Sequence, residues 1–435
     1  EAGKELIMRI FIAFLFSLIS TVVWAQLSQT EQHILERIDA NYEESLRFLE
    51  DNVNMNTGTL NLEGIKKLGA KYMDVYDELG FDVRWIAQDE VDRAGHFFAE
   101  HPGNSGKKLL LIGHLDTVFE PESPFQKFEM IDETSAKGPG ITDMKAGNVM
   151  IYYALKALFE AGALEDAQII VAYTGDEEKA GSPTTISRAD LVDAAQRSDI
   201  ALGFEGSTGL GYATVARRAS ESWILDVNGL QAHSSGIFSE RVGAGAVYEA
   251  ARIVNRFYEE LQEENLTFNV GVFLGANNVE YNPAQLRGFA SGKTNIVPKR
   301  AVVHGDLRFL TLEQGDRAYA KMQAIVDDHL PQTEATITFN PGYPPMEPNE
   351  GNLQVLSVYN AVSIALGLGS VEPFDPGRRG AADISFVAHY VDALDGLGAM
   401  GGGAPSPNEQ LHLSSYKMLT KRAALLIYRL TQTDN

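Results

Sequence analysis

Apolar residues along this chain recur with two different periods, and the period changes several times. Residues 28–51 and 59–80 repeat apolar positions at helical spacing, so each segment is predicted to be an amphipathic helix. Short uninterrupted apolar runs follow at 109–112, 168–173 and 200–204. Runs of this kind are typical of strands that are buried on both faces of a parallel sheet. The first part of the chain is therefore predicted to be an α/β domain with helices on both faces of its sheet.

A second pattern begins at about residue 217. Its predicted elements are strand 222–227, helix 246–262, strand 268–274, strand 301–310, helix 314–329 and strand 335–339. That order is βαββαβ, the split ferredoxin-like unit. The Pro/Gly-rich segment 341–345 then predicts a return to the first domain, followed by helices at 352–366 and 415–431. We therefore expect an interrupted domain at 26–216 and 342–435, with an inserted domain at 217–341.

The N-terminal segment resembles a secretory signal. A basic start at Met8-Arg9 is followed by an apolar run that ends at Ala25. Residues 1–25 are accordingly predicted to be removed, Met8 is the better candidate for a natural start, and the mature protein is expected to be periplasmic or secreted. The alternative is a retained membrane anchor, for which the apolar run is rather short.

Composition excludes some classes of function. The chain has 36 basic and 59 acidic residues, for a formal net charge of −23. A chain this acidic repels nucleic acid and anionic membranes, so neither is an expected partner. The sequence contains no cysteine, which excludes disulfides and thiolate chemistry.

Residues able to bind metal follow each of the three predicted core strands. His114 and Asp116 come after the first, Glu177 and Glu178 after the second, and Glu205 after the third. The carboxyl ends of parallel strands meet at one edge of a sheet, where ligands bind. Each acidic segment by itself has an ordinary explanation as a solvated turn, but three in this position indicate a common site.

Two further candidates come from loops. Asp143 lies in the Gly/Pro-rich segment 137–147, before a predicted helix, where it could also be an N-cap. His412 precedes the last predicted helix. We prefer it as a ligand to His389, because His389 falls within a helical pattern at 380–390 and is expected to be packed.

These residue types suit a hydrolase with two divalent ions. Histidine with carboxylates and no cysteine favours zinc in an open site, with cobalt or manganese as alternatives. A bridging water would be the nucleophile. Glu177, next to a ligand, could take its proton and pass it to the leaving amine. Asp116 could accept the second ring N–H of His114 and fix its tautomer.

The motifs resemble those of the M20 metallopeptidases, the group of glutamate carboxypeptidase, acetylornithine deacetylase and succinyl-diaminopimelate desuccinylase. The matching segments are 113–118, 138–147, 174–178, 204–205, 232–234 and 295–298. The resemblance covers most of the mature chain and implies a fold of the dizinc exopeptidase type, with the inserted domain as a lid that also forms a homodimer.

The resemblance also implies roles for the ligands. Asp143 should bridge the two ions, His114 and Glu205 should hold one of them, and Glu178 and His412 the other. Glu177 should be the general base. The peptide bond after Asp143 is expected to be cis.

The resemblance implies that three further residues contact the substrate, and Arg379 is a candidate outside the matching motifs. His233 should stabilise the oxyanion in the partner subunit's site, unless it is only a surface-turn histidine. Asn295 should help to hold the substrate. Arg308 should grip its carboxylate, the alternative being an ordinary salt bridge. Arg379 lies in a segment that departs from the family pattern, and is either a second carboxylate contact or a surface charge.

The sequence thus predicts an enzyme that releases a C-terminal amino acid, such as glutamate, from a small peptide or an N-acyl amino acid. A deacylase or an aminopeptidase on the same scaffold is the alternative. A non-catalytic binding module is disfavoured, because both His114 and Glu177 are present.

Overall fold

The computed structural model describes residues 27–432. The predicted secretory signal at residues 1–25 lies outside these described residues. No helix within 27–432 combines the length and apolar content that crossing a bilayer requires.

Seven of the helices lie close to predicted positions, whereas the two short helices at Thr184–Ser187 and Ala189–Gln196 were not predicted. In chain order the helices are α1 (Gln29–Val53), α2 (Leu62–Asp77), α3 (Ala146–Glu160), α4 (Thr184–Ser187), α5 (Ala189–Gln196), α6 (Ala246–Glu260), α7 (Leu312–Asp327), α8 (Glu350–Ala365) and α9 (Leu413–Leu430). Helix α1 begins with a capping box, in which Ser28 and Glu31 each accept the other's backbone N–H. Side-chain caps therefore help to fix where the first helix starts.

The strands are more numerous than the sequence pattern predicts. In chain order they are β1 (Asp82–Gln88), β2 (Arg93–Pro102), β3 (Ser105–His114), β4 (Glu129–Asp132), β5 (Ser135–Lys137), β6 (Ala167–Thr174), β7 (Ile200–Gly203), β8 (Tyr212–Ala213), β9 (Ser220–Gly229), β10 (Thr267–Ala276), β11 (Asn278–Asn282), β12 (Arg287–Ser291), β13 (Arg300–Arg308), β14 (Thr333–Tyr343), β15 (Glu372–Pro373), β16 (Asp392–Leu394), β17 (Gly401–Gly402) and β18 (Gln410–His412).

The central sheet is mixed, with strand order β1-β2-β6-β3-β7-β16. Strands β6, β3, β7 and β16 run parallel to one another. Strand β2 pairs antiparallel with β6, and β1 pairs antiparallel with β2. One face packs against α1, α2, α3, α8 and α9, and the other against α5 and the segment 382–391. The predicted α/β class is confirmed. The parallel strands bring the carboxyl ends of β3, β6 and β7 to one edge.

A second antiparallel sheet has the order β10-β13-β9-β14 and carries helices α6 and α7. Its buried residues form a core of their own, around Trp223, Ile253 and Met322. The order along the chain and across the sheet is that of the βαββαβ unit. A hairpin of β11 and β12 extends from it.

Two local features differ from the sequence pattern. The helix predicted at 380–390 is wrong, because only a 3-10 turn forms at Asp383–Phe386. A small sheet with the order β17-β18-β5-β4 was not predicted. Its strands are two to four residues long, too short for a hydrophobic period to be recognised.

Candidate metal centre

The candidate site lies where three parallel strands of the central sheet end. His114 is the last residue of β3, Glu177 and Glu178 follow β6, and Glu205 follows β7. Asp143 comes from the loop before α3. Buried apolar runs fix the strands, so that the residues which follow them converge on one edge.

The side chains of His114 and Asp143 form the centre of the cluster. His114 Nε2 lies 3.2 Å from Asp143 Oδ1 and 3.6 Å from Glu205 Oε1. One ligand atom each from His114, Asp143 and Glu178 lies within 4.8 Å of the other two. Donors of this kind at these separations fit a divalent ion with bonds of about 2.0–2.2 Å. The Asp143-Met144 peptide bond is cis.

Asp116 connects the ligands to one another. The ring Nδ1 of His114 lies 3.0 Å from the Asp116 carbonyl oxygen and 3.4 Å from its carboxylate. The Asp116 carboxylate accepts the backbone N–H groups of Glu177 at 2.9 Å and Glu178 at 3.1 Å. The Thr59 hydroxyl also donates to it, at 2.6 Å. Asp116 therefore orients the ligand ring and also holds the loop that carries both glutamates.

The site carries more negative charge than its protein neighbours neutralise. Burial, reinforced by the charge of Asp143, raises the pKa of Glu178 to about 8 and that of Glu205 to about 7. Burial also raises the pKa of Glu177 well above its usual value. Burial opposes protonation of His114, but hydrogen bonds with Asp116 and Asp143 hold its pKa well above the ordinary value. A bound cation would relieve this repulsion between acids.

Two arginines lie beside the acidic cluster. Arg217 Nε donates to Asp395 Oδ2 at 2.6 Å and its Nη1 to the Gly380 carbonyl at 2.7 Å. Burial, and then the charge of Arg217, lower the pKa of Arg379 to about 10, while nearby Asp395, Glu205 and Asp143 oppose that change. Arg217 Nη2 and Arg379 Nε are buried and have no hydrogen-bond partner among the described residues.

Glu409 supports the loop that carries Asp143. It is fully buried and its carboxylate accepts the backbone N–H groups of Gly140, Thr142 and Asp143 at 2.7–3.0 Å. The Thr142 hydroxyl adds a fourth hydrogen bond at 3.0 Å. Sequence reasoning missed Glu409. No local pattern marks it, because its partners are backbone groups 266–269 positions away.

A second buried network supports the turn that carries Glu177. Arg188 is paired with Asp176 at 2.5 Å and with Asp383 at 2.7 Å, and all three side chains are almost fully buried. The Tyr343 hydroxyl donates to the Glu177 carbonyl at 2.6 Å. Sequence reasoning missed these supports as well, because Tyr343 lies 166 positions from Glu177 and Asp383 lies 195 positions from Arg188.

The other predicted residues are not among the grouped ligand atoms. His233 and Asn295 contact each other in the second domain, where His233 Nε2 lies 3.5 Å from Asn295 Nδ2. Arg308 Nε donates to Asp306 Oδ2 at 3.1 Å, and its contact with the substrate stays a prediction. The His412 side chain is exposed, and its role as a ligand also stays a prediction. The structure thus brings together His114, Asp143, Glu178 and Glu205.

Comparisons with known proteins agree with this geometry. The model of Peptidase family M20/M25/M40 matches residues 110–429. Carboxypeptidase G2 from Pseudomonas sp. strain RS-16 is 26% identical over 402 residues, covering 88% of each chain. The crystal structure of a tripeptidase from Staphylococcus aureus superposes with a TM-score of 0.72 at 20% identity, over 90% of this chain and 99% of that one.

A dinuclear metal-binding peptidase of the M20 family from Bacillus subtilis has the same fold. Its TM-score is 0.64 at 13% identity, and the match covers 91% of this chain and all of that one. With the motifs, the strand-end cluster and the family match in agreement, the chain belongs to peptidase family M20/M25/M40. It is an M20 metallopeptidase or amidohydrolase.

Proposed function

We propose that this enzyme cleaves an amide bond to release a C-terminal amino acid from a small peptide or an N-acyl amino acid. Glutamate is the proposed leaving residue, because the motifs resemble those of glutamate carboxypeptidase and because a carboxypeptidase, carboxypeptidase G2, matches 88% of the chain. The proposed cofactor is Zn²⁺, with Co²⁺ or Mn²⁺ as substitutes, because histidine with carboxylates in an open site suits these ions.

The observation that carries this proposal is the pair of arginines beside the metal ligands. Arg217 and Arg379 each keep an unpartnered buried N–H group close to Glu205. Guanidinium groups bind carboxylates with charge-assisted hydrogen bonds. An amino acid that binds with its free carboxylate against these groups would place its own amide nitrogen towards the cluster. A free α-amine, by contrast, would be repelled by both arginines.

The ion and the residues around the cluster would have different roles in the reaction. When bound, the ion would act as a Lewis acid and supply an activated water. Glu177 is the proposed general base, since it lies next to the ligand Glu178 without being one of the grouped ligands, and a free carboxylate there could take a proton from water and give it to the leaving amine. Asp116 and Tyr343 keep the Glu177 backbone in place.

The direct test compares matched substrates on the metal-loaded protein. Benzoyl-glutamate and its C-terminal amide differ in one charged group, and a dipeptide with a free α-amine tests the aminopeptidase alternative. We expect kcat/KM for the free acid to exceed that of the amide about 100-fold, the effect of losing one well-placed ionic contact. Equal rates, or a requirement for the free amine, would contradict the proposal.

We further propose a homodimer in which His233 acts in the partner's site. His233 is exposed in the second domain, and large apolar side chains are exposed nearby, including Phe238 at 69% and Tyr248 at 56%. H233A and E177Q should each be inactive alone, whereas a mixture that exchanges subunits should recover activity, because one of its sites has both residues intact. No recovery from a mixture of proven heterodimers would contradict the partner role.

We also propose that the protein acts outside the cytoplasm, because residues 8–25 have the composition of a secretory signal. N-terminal sequencing of the protein from a periplasmic or secreted fraction should begin at Gln26. A cytoplasmic protein that keeps the leader would contradict this.

A further inference from the structure

The turn that carries Glu177 has its backbone polar groups bound from several sides. The Asp116 carboxylate accepts the Glu177 N–H at 2.9 Å, and Arg188 Nη2 donates to the carbonyl of Asp176 at 3.2 Å. The Tyr343 hydroxyl donates to the carbonyl of Glu177 at 2.6 Å. Buried backbone groups need partners of this kind. Three separate parts of the chain therefore hold one turn.

These three parts do not belong to the same domain. Asp116 follows β3 and Arg188 lies between α4 and α5, so both are supplied by the first domain. Tyr343 is the last residue of β14, in the sheet of the second domain, where it pairs with Ser220 of β9. The second domain thus reaches the backbone of the proposed base through one tyrosine hydroxyl.

The Tyr343 side chain is fixed on the first domain by further contacts. Its ring packs against that of Phe386, with centroids 4.9 Å apart, and its hydroxyl accepts a hydrogen bond from Arg188 Nη2 at 3.4 Å. Burial and the charge of Glu177 raise the pKa of Tyr343 well above its usual value. The hydroxyl therefore keeps its proton and remains a donor to the carbonyl.

The chain that follows Tyr343 crosses directly into the first domain. It passes through Pro344 and Pro345, whose rings fix φ, to Met346, which is fully buried in the first domain's core. Met346 and Arg217, which belongs to the other crossing, exchange backbone hydrogen bonds of 2.9 and 3.0 Å. A shift of the second domain against the first would therefore move the Tyr343 hydroxyl away from its partner.

We propose that Tyr343 is a positioning residue through which the second domain holds Glu177 in place for proton transfer. The inference rests on the proposed function in taking Glu177 as the base. A base must lie within hydrogen-bond reach of the proton that it takes, and a misplacement of about 1 Å can reduce the rate about 100-fold. Because the Tyr343 hydroxyl is bound to a carbonyl, it acts through Glu177 rather than on the substrate.

The variant Y343F keeps the ring and removes only the hydroxyl. With whichever of the three substrates named above the zinc-loaded wild type cleaves, kcat should fall about 10-fold, the effect of one lost hydrogen bond, while KM and metal content stay unchanged. Y281F is the matched control and should leave kcat unchanged, because it removes a hydroxyl that contacts His304 within the second domain.

The double variant separates positioning from a merely structural role. Y343F should cause no further loss when it is added to E177Q, because the residue that it positions is then no longer a base. An unchanged kcat in Y343F, or a loss that persists in the E177Q background, would overturn the inference. Normal turnover in E177Q would contradict the proposed base, whereas an inactive E177Q beside a fully active Y343F would contradict this inference alone.

Hydrogen exchange tests the same contact without turnover. The N–H groups of Glu177 and Glu178 are hydrogen-bonded in the turn, so peptides that cover residues 175–181 should exchange faster in Y343F than in the wild type or Y281F. Equal exchange in the three proteins would overturn the inference. A protein inactive on all three substrates would contradict the proposed function, and exchange would then decide whether Tyr343 holds the turn.

Discussion

The carboxyl edge of the central sheet and the second domain differ in how far their ion pairs are exposed to solvent. At the sheet edge the ion pairs are buried, as between Arg188 and Asp176, whose side chains are 1% and 0% exposed. In the second domain most ion pairs are open to solvent, as between Arg300 and Asp226 at 37% and 30%. Buried charges are costly unless every partner is in place. The supports of the sheet-edge site are thus held in place by buried partners of the same chain.

In the second domain, the candidate catalytic residue His233 has different surroundings. His233 is exposed, and its contacts are with Ser235 and Asn295 of its own domain. Nothing around it resembles the buried supports of Glu177. A role for His233 in catalysis therefore requires a further contact, with substrate or with a second copy of the chain. Variants at Glu177, Arg188, Glu409 and Arg379 test this difference, from the largest expected effect to the smallest.

Replacing Glu177 by Gln should have the largest effect. The amide keeps the size of the side chain and leaves the backbone hydrogen bonds of residue 177 in place, but it cannot carry the proton, so kcat should fall about 10²–10⁴-fold. The metal content should not change, because Glu177 is not among the grouped ligands. Assays of amino-acid release measure kcat, and elemental analysis measures the metal content. Near-normal turnover would remove Glu177 from the role of base.

The ion pairs of the two regions should differ sharply in their contribution to stability. R188M leaves Asp176 and Asp383 buried without a cation, and should reduce the free energy of unfolding by about 3–5 kcal/mol. The matched change R300M breaks a half-exposed pair and should cost about 0–1 kcal/mol. Urea denaturation of both variants measures the difference. An equal loss of unfolding free energy in R188M and R300M would contradict this difference between the two regions.

Removing Glu409 should weaken metal binding without touching a ligand. E409A leaves the N–H groups of Gly140, Thr142 and Asp143 unpaired, and should lower the affinity for Zn²⁺ about 10–100-fold. E409Q retains an oxygen for three of the four hydrogen bonds and should recover most of the loss. An affinity equal to that of the wild type in E409A would exclude this supporting role.

Arg379 should matter for substrate rather than for metal. R379A should lower kcat/KM about 10-fold for a substrate with a free carboxylate, and leave that for the matching amide unchanged. R378A is the control, because the neighbouring Arg378 is exposed and lies over the Phe374 ring. An equal fall in kcat/KM for the acid and for the amide would show that Arg379 has a structural role only.

The sequence predicts the sheet-edge site better than its supports, for a physical reason. A buried strand has a local hydrophobic signature, and the residues after its carboxyl end must lie at the sheet edge. His114, Glu178 and Glu205 were therefore predictable. Glu409 was not, because its partners lie 266–269 positions away and are backbone groups that any sequence provides.

Elemental analysis of the wild type and of D143A tests the central claim most directly, namely that strand-end residues of one sheet form a metal centre. Asp143 lies within reach of both His114 and Glu178 and contributes no support to the sheet itself. We expect the purified, zinc-loaded wild type to retain metal after desalting, and folded D143A to retain none. Equal metal content in the two proteins, or no metal in either, would contradict the account.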